Sequence, residues 1–537
     1  MKPILRRTQA YNRAVTMKRL PIVALIAATL GLAAYLSAQP PMPTDSWPTY
    51  NGDFSGRRFS TLKKINSNNI DSLTLAWTWR LTASGGSSSN LRSTPLMIDG
   101  IIYLSTEDNA FAIDARTGRE KWHYVWASSG GRHNGNKGLG MSGNSLYMET
   151  GDCHLLSLDK EDGHLRWSKS ICDLDDFYFA SVAPVVVGNH VIAGVSGDDS
   201  DVGGYLESHD PETGELQWRF YTTPRKKGDP GSDTWPNVEM SSHGGGMTWV
   251  PVTYDPETKI IYVTTGNPQP VIANVSRPGD NLYTCSLIAL HADTGKMAWY
   301  FQSSPHDTHD WDSTQTAALI DATIDGQPRK LIAQAARNGI YFLLDRVTGK
   351  TLVHTPYVKT NWILGYKPNG QPIPNTEKNP TTAGVLVAPN ASGGTNWFPP
   401  AFNPETGLFY VNSTNSWSIF YLYDKTDQPQ GWAGHELTGY SEGMLNALDF
   451  KTGKVKWSHK WEGGASSGLL TTAGNLVFSG APGGSIEALN ATTGDPLWHA
   501  RLANGVSNPP VTWQIDGTQY LIVGGGDTLY AFAMRAK

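Results

Sequence analysis

The 537-residue chain has only three cysteines, Cys153, Cys172 and Cys285, and no two are adjacent. It contains no Cys-x-x-Cys-His, which excludes haem attached through that motif, and its cysteine spacing fits no zinc site. Two readings of the thiols stay open. Cys153 and Cys172 pair in an oxidising compartment and leave Cys285 over, or all three are buried free thiols. No apolar run after residue 36 is long enough to cross a bilayer. Basic runs are equally absent beyond the first twenty residues. With 43 Lys and Arg against 48 Asp and Glu the net charge is −5, which gives nucleic-acid binding little support.

The N-terminus has its own character. Arg6, Arg7, Arg13, Lys18 and Arg19 precede an apolar run over residues 20–36, and Ser37-Ala38-Gln39 then leads into a proline-rich stretch. This pattern predicts a cleaved export signal over residues 1–38, with an uncleaved membrane anchor as the alternative. The remaining residues, 39–537, read as one domain.

What the chain has in abundance is 56 Gly, 33 Pro and 19 Trp, together with an internal repeat. Asp114-Ala115-Arg116-Thr117-Gly118 is followed by Trp122, Asp159 to Gly163 by Trp167, and Asp210 to Gly214 by Trp218. Thr294-Gly295 precedes Trp299, whereas Asp345 to Gly349 lacks the tryptophan; Asp449 to Gly453 with Trp457 and Asn490 to Gly494 with Trp498 complete the set. Each copy is an apolar strand ending in Asp or Asn, a turn reversed at Gly, and a new strand carrying a large aromatic. A spacing of about 40 to 50 residues matches a four-stranded propeller blade. Seven copies and one incomplete unit predict an all-β, eight-bladed β-propeller. Its ring would close where Leu75-Ala76-Trp77-Thr78-Trp79 shares a blade with Tyr530-Ala531-Phe532-Ala533. The tryptophans read as packing residues between blades. The wider gaps between copies leave room for long loops.

Three oxygen-rich segments stand outside the repeat: Ser196-Gly197-Asp198-Asp199, Gly266-Asn267-Pro268 and Asp310-Trp311-Asp312. Carboxylate and amide oxygens are hard ligands, suited to calcium-like ions and not to zinc or copper. If Asp310-Trp311-Asp312 is extended, its two carboxylates share a face, an arrangement that a cation relieves.

With these segments in view, the chain resembles the quinoprotein dehydrogenases that use pyrroloquinoline quinone (PQQ). The likeness begins at Trp47-Pro48-Thr49-Tyr50-Asn51-Gly52-Asp53. It continues through Gly244-Gly245-Gly246-Met247-Thr248-Trp249, Thr265-Gly266-Asn267, Pro305-His306-Asp307, Arg337-Asn338-Gly339 and Asn396-Trp397. The resemblance implies oxidation of an alcohol by hydride transfer to PQQ held beside Ca²⁺ or a lanthanide. It places Asp199, Asn267, Asp310 and Asp312 at the metal, with Asp310 as catalytic base and Asp312 at the position that marks lanthanide users. It implies Trp249 as the floor under the quinone and Arg337 as a partner of the quinone oxygens. Lys137, Ser181, Ser196, Gly197, Asn396 and Trp397 follow as further cofactor contacts.

The chain departs from the family pattern in several places. Adjacent cysteines are absent from the stretch Gly131 to Gly138, Lys137 stands where arginine is usual, Arg92 replaces an early Glu, and Met247 takes a position often held by Thr. Together with the export signal, the resemblance implies a periplasmic enzyme, free or anchored to the inner membrane, that passes electrons to a separate acceptor such as a cytochrome c or a quinone. The alternatives are a sugar or polyol dehydrogenase of the same mechanism, set apart by the loop over residues 360–393, and a non-catalytic propeller scaffold.

Overall fold

The computed structural model describes residues 45–82, 90–132, 135–197, 200–273, 275–423, 431–462 and 467–534. The expected export segment and Asp199 lie outside these residues. The described chain is built almost wholly of antiparallel sheets, most of them meanders in chain order. Leu96–Ile98, Ile101–Ser105, Asn109–Asp114 and Glu120–Val125 make one; Gly140–Ser142, Ser145–Glu149, His154–Asp159 and Leu165–Ser170 make the next. Among the described residues six sheets have four strands and two have five, beside one two-stranded ribbon.

The repeat is the turn between the third and fourth strands of a sheet. In the first copy, Asp114 Oδ1 accepts from the backbone N–H groups of Arg116 and Thr117, each at 3.0 Å. Gly118 donates to the Asp114 carbonyl at 2.9 Å and turns with a φ of +70°. Glycine is needed here for a second reason. The tryptophan of one sheet lies flat on the repeat glycine of the next, so that a methyl group on Gly163 would fall 2.6 Å from the Trp122 ring. The same contact joins Trp77 to Gly118, Trp167 to Gly214, Trp218 to Gly295, Trp299 to Gly349 and Trp457 to Gly494. The indole N–H of Trp218 also donates to the Ala292 carbonyl at 2.9 Å. In the copy without tryptophan, Thr355 meets Gly453 and donates from its hydroxyl to the Thr452 carbonyl at 2.7 Å. The tryptophans are therefore packing residues between sheets, as their sequence positions predict.

The apolar cores lie between neighbouring sheets. Leu96, Tyr103, Ala110 and Ala112 pack on Leu139, Leu146, Leu156 and Leu158 of the following sheet. Second and third strands such as Ser145–Glu149 and His154–Asp159 are buried, while fourth strands such as Leu165–Ser170 alternate between exposed and half-buried. The chain ends meet as expected: Leu73–Arg80 pairs antiparallel with Thr528–Met534, with Leu75 opposite Phe532 and Thr78 opposite Tyr530. Upstream, the buried Arg58 donates to the carbonyls of Tyr50, Leu469 and Pro510, which ties the N-terminal segment to the C-terminal sheets.

The wide gap after Asp345 is not simply loop. Ile363–Tyr366 and Pro372–Pro374 form the two-stranded ribbon, and Leu408–Leu422 pairs with Gly434–Asp449 in a long hairpin. Cys153 and Cys172 are joined by a disulfide, and Cys285 is buried and free. Among the described residues no helix is long and apolar enough to cross a membrane.

Candidate active site

The proposed site residues occupy two kinds of position. Lys137, Ser181, Trp249, Asp310 and Asp312 precede the first strand of a sheet, and Trp397 precedes the short strand Ala401–Asn403; Ser196, Gly197, Asn267 and Arg337 follow a second strand. First and second strands run antiparallel, so the start of one and the end of the other lie at the same end of a sheet. Residues distant in sequence thus meet at one end of successive sheets.

Asp312 is the hub. It is buried; Oδ1 accepts the Asn267 backbone N–H at 2.6 Å and Oδ2 accepts the Trp249 indole N–H at 2.8 Å. Arg337 spans both acidic residues, 2.6 Å from Asp310 Oδ2 and 3.5 Å from Asp312 Oδ2. The guanidinium is itself fixed by the Ala391 carbonyl at 2.8 Å, and the Arg337 backbone N–H by Gln315 Oε1 at 3.0 Å. One cation held against two carboxylates offsets the repulsion that would otherwise open the site.

Asp310 does not reach this place as part of a strand. Its backbone is left-handed, with a φ of +65°, so the same-face argument for an extended segment does not apply. The conformation is imposed by its neighbours. Asp307 Oδ2 accepts the Trp311 N–H at 3.0 Å, while the buried Trp311 donates its indole N–H to the Asn390 carbonyl at 2.9 Å. His309 stacks on Trp311 with ring centroids 4.4 Å apart and contacts the Lys378 carbonyl at 2.9 Å, which seats the 360–393 segment against this loop. Burial pushes the Asp307 carboxyl up to about 6, against the pull of the Trp311 N–H and Arg277. Burial also holds His309 down at about 4.

Asn267 sits on the turn after Ile260–Thr264. Its Nδ2 donates to the Pro268 carbonyl at 3.1 Å, and its buried Oδ1 has no hydrogen-bond partner. The glycine run beside it permits the approach, since a methyl group on Gly245 would lie 2.4 Å from the Asn267 carbonyl oxygen. That run delivers Trp249. The Lys137 ammonium lies 5.0 Å from the Trp249 ring centroid and 5.7 Å from that of Trp397, and donates to Ser181 Oγ at 3.0 Å. Val195 accepts the Thr248 N–H at 3.0 Å, which runs the Ser196 and Gly197 segment alongside. Ser196 Oγ is buried and unpaired. Asn396 does different work: it closes the turn before Trp397, accepting that residue's N–H at 2.9 Å and donating to the Ser392 carbonyl at 3.2 Å.

Sequence reasoning passed over Asp307 and Gln315, which brace Asp310 and Arg337, and it passed over Glu149 altogether. Asp307 was at hand in Pro305-His306-Asp307, whereas Glu149 gave only the signal of an acid ending an apolar strand.

The residues fit the groups that the family uses. An orphaned amide oxygen beside two carboxylates is a donor set for a hard cation. Asp312 Oδ1 accepts the Asn267 N–H, and Oδ2 accepts the Trp249 indole and, at 3.4 Å, the Thr314 hydroxyl, so the carboxylate is held in place beside the Asn267 amide. An indole face next to a buried ammonium suits a flat anion.

Comparison with known proteins gives the same direction. Residues 47–361 match the family described as glucose/ethanol/alcohol dehydrogenase, β-propeller domain. The chain is 36% identical over 506 residues to quinoprotein alcohol dehydrogenase PedH of Pseudomonas putida, covering 88% of this chain and 84% of that protein. A solved quinohemoprotein alcohol dehydrogenase from Comamonas testosteroni superposes with a TM-score of 0.86 at 31% identity, over 95% of this chain and 85% of that one. A europium-containing methanol dehydrogenase superposes with a TM-score of 0.83 at 28% identity, over 91% of this chain and 98% of that one. The chain belongs to the β-propeller family of PQQ-dependent glucose/ethanol/alcohol dehydrogenases.

Proposed function

We propose that the protein is a PQQ-dependent alcohol dehydrogenase working with a hard cation, Ca²⁺ or a lanthanide, held by Asn267, Asp310 and Asp312, with Asp199 as a further ligand. The observation that carries this reading is the Asp312 hub, which joins the indole of Trp249, the turn of Asn267 and the guanidinium of Arg337. PQQ held here would supply the hydride acceptor, and the cation a Lewis acid beside it. The chain's own residues do the rest. Trp249 supports the flat face, Lys137 and Arg337 hold its anionic edge, and Asp310 Oδ accepts the proton of the substrate hydroxyl. The Arg337 guanidinium, 2.6 Å away, holds the Asp310 carboxyl in place.

We also infer that the eight larger sheets form an eight-bladed ring. Support comes from the tryptophan-on-glycine contacts, which link successive sheets from Trp77 onward, and from Trp498, whose ring lies 5.3 Å from Phe532 of the sheet that holds both chain ends. Export to the periplasm and delivery of electrons to a separate cytochrome c or quinone complete the proposal. The test is to load purified protein with PQQ and either Ca²⁺ or a light lanthanide and follow dye reduction with a series of alcohols and sugars. Alcohol-dependent reduction supports the reading; no turnover with either ion refutes it, and preference for sugars selects the polyol alternative.

A further inference from the structure

Glu149 ends the second strand of its sheet and is completely buried. Its Oε2 accepts the Val182 N–H at 2.7 Å and its Oε1 accepts the Gly194 N–H at 3.0 Å. Val182 follows Ser181 directly, and Gly194 lies two residues before Ser196. One carboxylate therefore clamps both segments of the neighbouring sheet that carry expected cofactor contacts. Its main chain is tied in as well, because the Glu149 carbonyl accepts Asn136 Nδ2 at 2.7 Å and Asn136 Oδ1 accepts the Gly138 N–H at 2.8 Å. Lys137, between those two residues, donates its backbone N–H to the Ser181 carbonyl at 3.0 Å and its ammonium to Ser181 Oγ at 3.0 Å.

A buried acid is an expensive way to satisfy two amide groups, since desolvation penalises its charge. Burial pushes the Glu149 carboxyl up to about 8, opposed by the N–H groups of Val182 and Gly194 and by the charge of Lys137. Packing alone would be served at lower cost by an apolar side chain, with the amides turned to other acceptors. What Glu149 adds is a fixed relation between three groups: the Lys137 ammonium, the Ser181 hydroxyl and the turn that carries Ser196 and Gly197.

We propose that Glu149 is a positioning residue of the cofactor pocket, holding Lys137, Ser181 and Ser196 in register for an anionic planar ligand through the carboxylate bridge to Val182 and Gly194. This rests on the PQQ site proposed above, and the test separates the two. PQQ affinity is measured by quenching of tryptophan fluorescence in the presence of Ca²⁺, on full-length wild-type protein, Glu149→Gln and Glu149→Asp, alone and combined with Lys137→Met. Thermal melts of the cofactor-free proteins check folding. Expected is a PQQ Kd weakened about tenfold or more by Glu149→Gln. Lys137→Met should also cost about tenfold in the wild-type background and under threefold in Glu149→Gln, the mark of coupled residues. Glu149→Asp keeps the carboxyl group but is one methylene short of reaching both N–H groups, and it should bind with intermediate affinity. If Glu149→Gln does not fold, Glu149→Asp alone decides. A Kd within twofold of wild type in the folded variants overturns the proposal, whatever their melting temperatures. Wild-type protein that takes up no PQQ overturns the cofactor site itself, and this inference with it.

Discussion

Replacing Asp312 by alanine should damage the fold and the site together, and the structure sets the size of the first effect. The carboxylate is the acceptor for two donors in a buried environment, the Asn267 N–H at 2.6 Å and the Trp249 indole N–H at 2.8 Å. Leaving a buried donor unsatisfied costs about 1–3 kcal/mol. Arg337 loses the Asp312 carboxylate 3.5 Å away as well and keeps Asp310 at 2.6 Å. The two donors together come to about 2–6 kcal/mol. For a chain of roughly 500 residues the unfolding entropy is on the order of 1 kcal/mol/K, so the cofactor-free protein should melt about 2–6 °C lower. Asp312→Asn keeps one acceptor oxygen but turns an NH₂ towards the second donor, and should lose about half as much. The two variants should nevertheless agree in ion binding, because both lack the charge. In ion titrations of the PQQ-loaded protein, affinity for a light lanthanide should fall at least about a hundredfold in both and affinity for Ca²⁺ by no more than about tenfold. The melt is read by calorimetry and the titration by dye-linked activity. An Asp312→Ala protein that melts with the wild type refutes the hub. Equal loss with both ions refutes the metal assignment of Asp312.

Other predictions concern the charges and the packing. Arg337→Met leaves Asp310 and Asp312 facing each other without their guanidinium, so the ion-free protein should lose about 3–5 kcal/mol. Added Ca²⁺ should recover part of that loss in a thermal melt, and no recovery would count against a cation site at these carboxylates. Glu149 should leave a signature in stability against pH. Its folded pKa, about 8, lies above the ordinary carboxylate value of 4.5, so the native state holds the extra proton between the two. Its stabilising share is therefore complete below about pH 4.5 and is lost as pH rises to about 8. The stability of wild type minus that of Glu149→Gln, from denaturant titrations, should fall across this window; a flat difference refutes the buried acid. Trp218→Ala removes the indole lying on Gly295 and its hydrogen bond to Ala292, at a cost of about 3 kcal/mol. Trp218→Phe keeps most of the packing and should cost about 1 kcal/mol in the same titration.

The sheet architecture was legible because its signal is local. An Asp whose side chain binds its own turn, a Gly at positive φ and a Trp a few residues later are read from one short window, as at Asp114, Gly118 and Trp122. The pairing of Leu73–Arg80 with Thr528–Met534 followed from the incomplete unit at each end. The site was legible only through motif likeness. Convergence of Asn267, Asp312 and Arg337 depends on which end of a sheet each loop leaves, and periodicity does not report that. Asp310 shows the limit most plainly. Its left-handed backbone is braced by Asp307 and Trp311 close by and by the 360–393 segment, whose Lys378 stands 69 residues from His309, and no local window reports that last contact. Glu149 escaped notice for a related reason: its partners, Val182 and Gly194, stand 33 and 45 residues away.

The account rests on a hard cation held at the Asp312 hub, and anomalous diffraction from crystals loaded with PQQ and a lanthanide tests this most directly. The predicted result is one strong peak about 2.3–2.6 Å from Asn267 Oδ1 and from carboxylate oxygens of Asp310 and Asp312, with the quinone stacked on Trp249. A peak elsewhere, as at the turn cluster of Asp159, Asp162 and His164, or no peak beside Asn267, would contradict it.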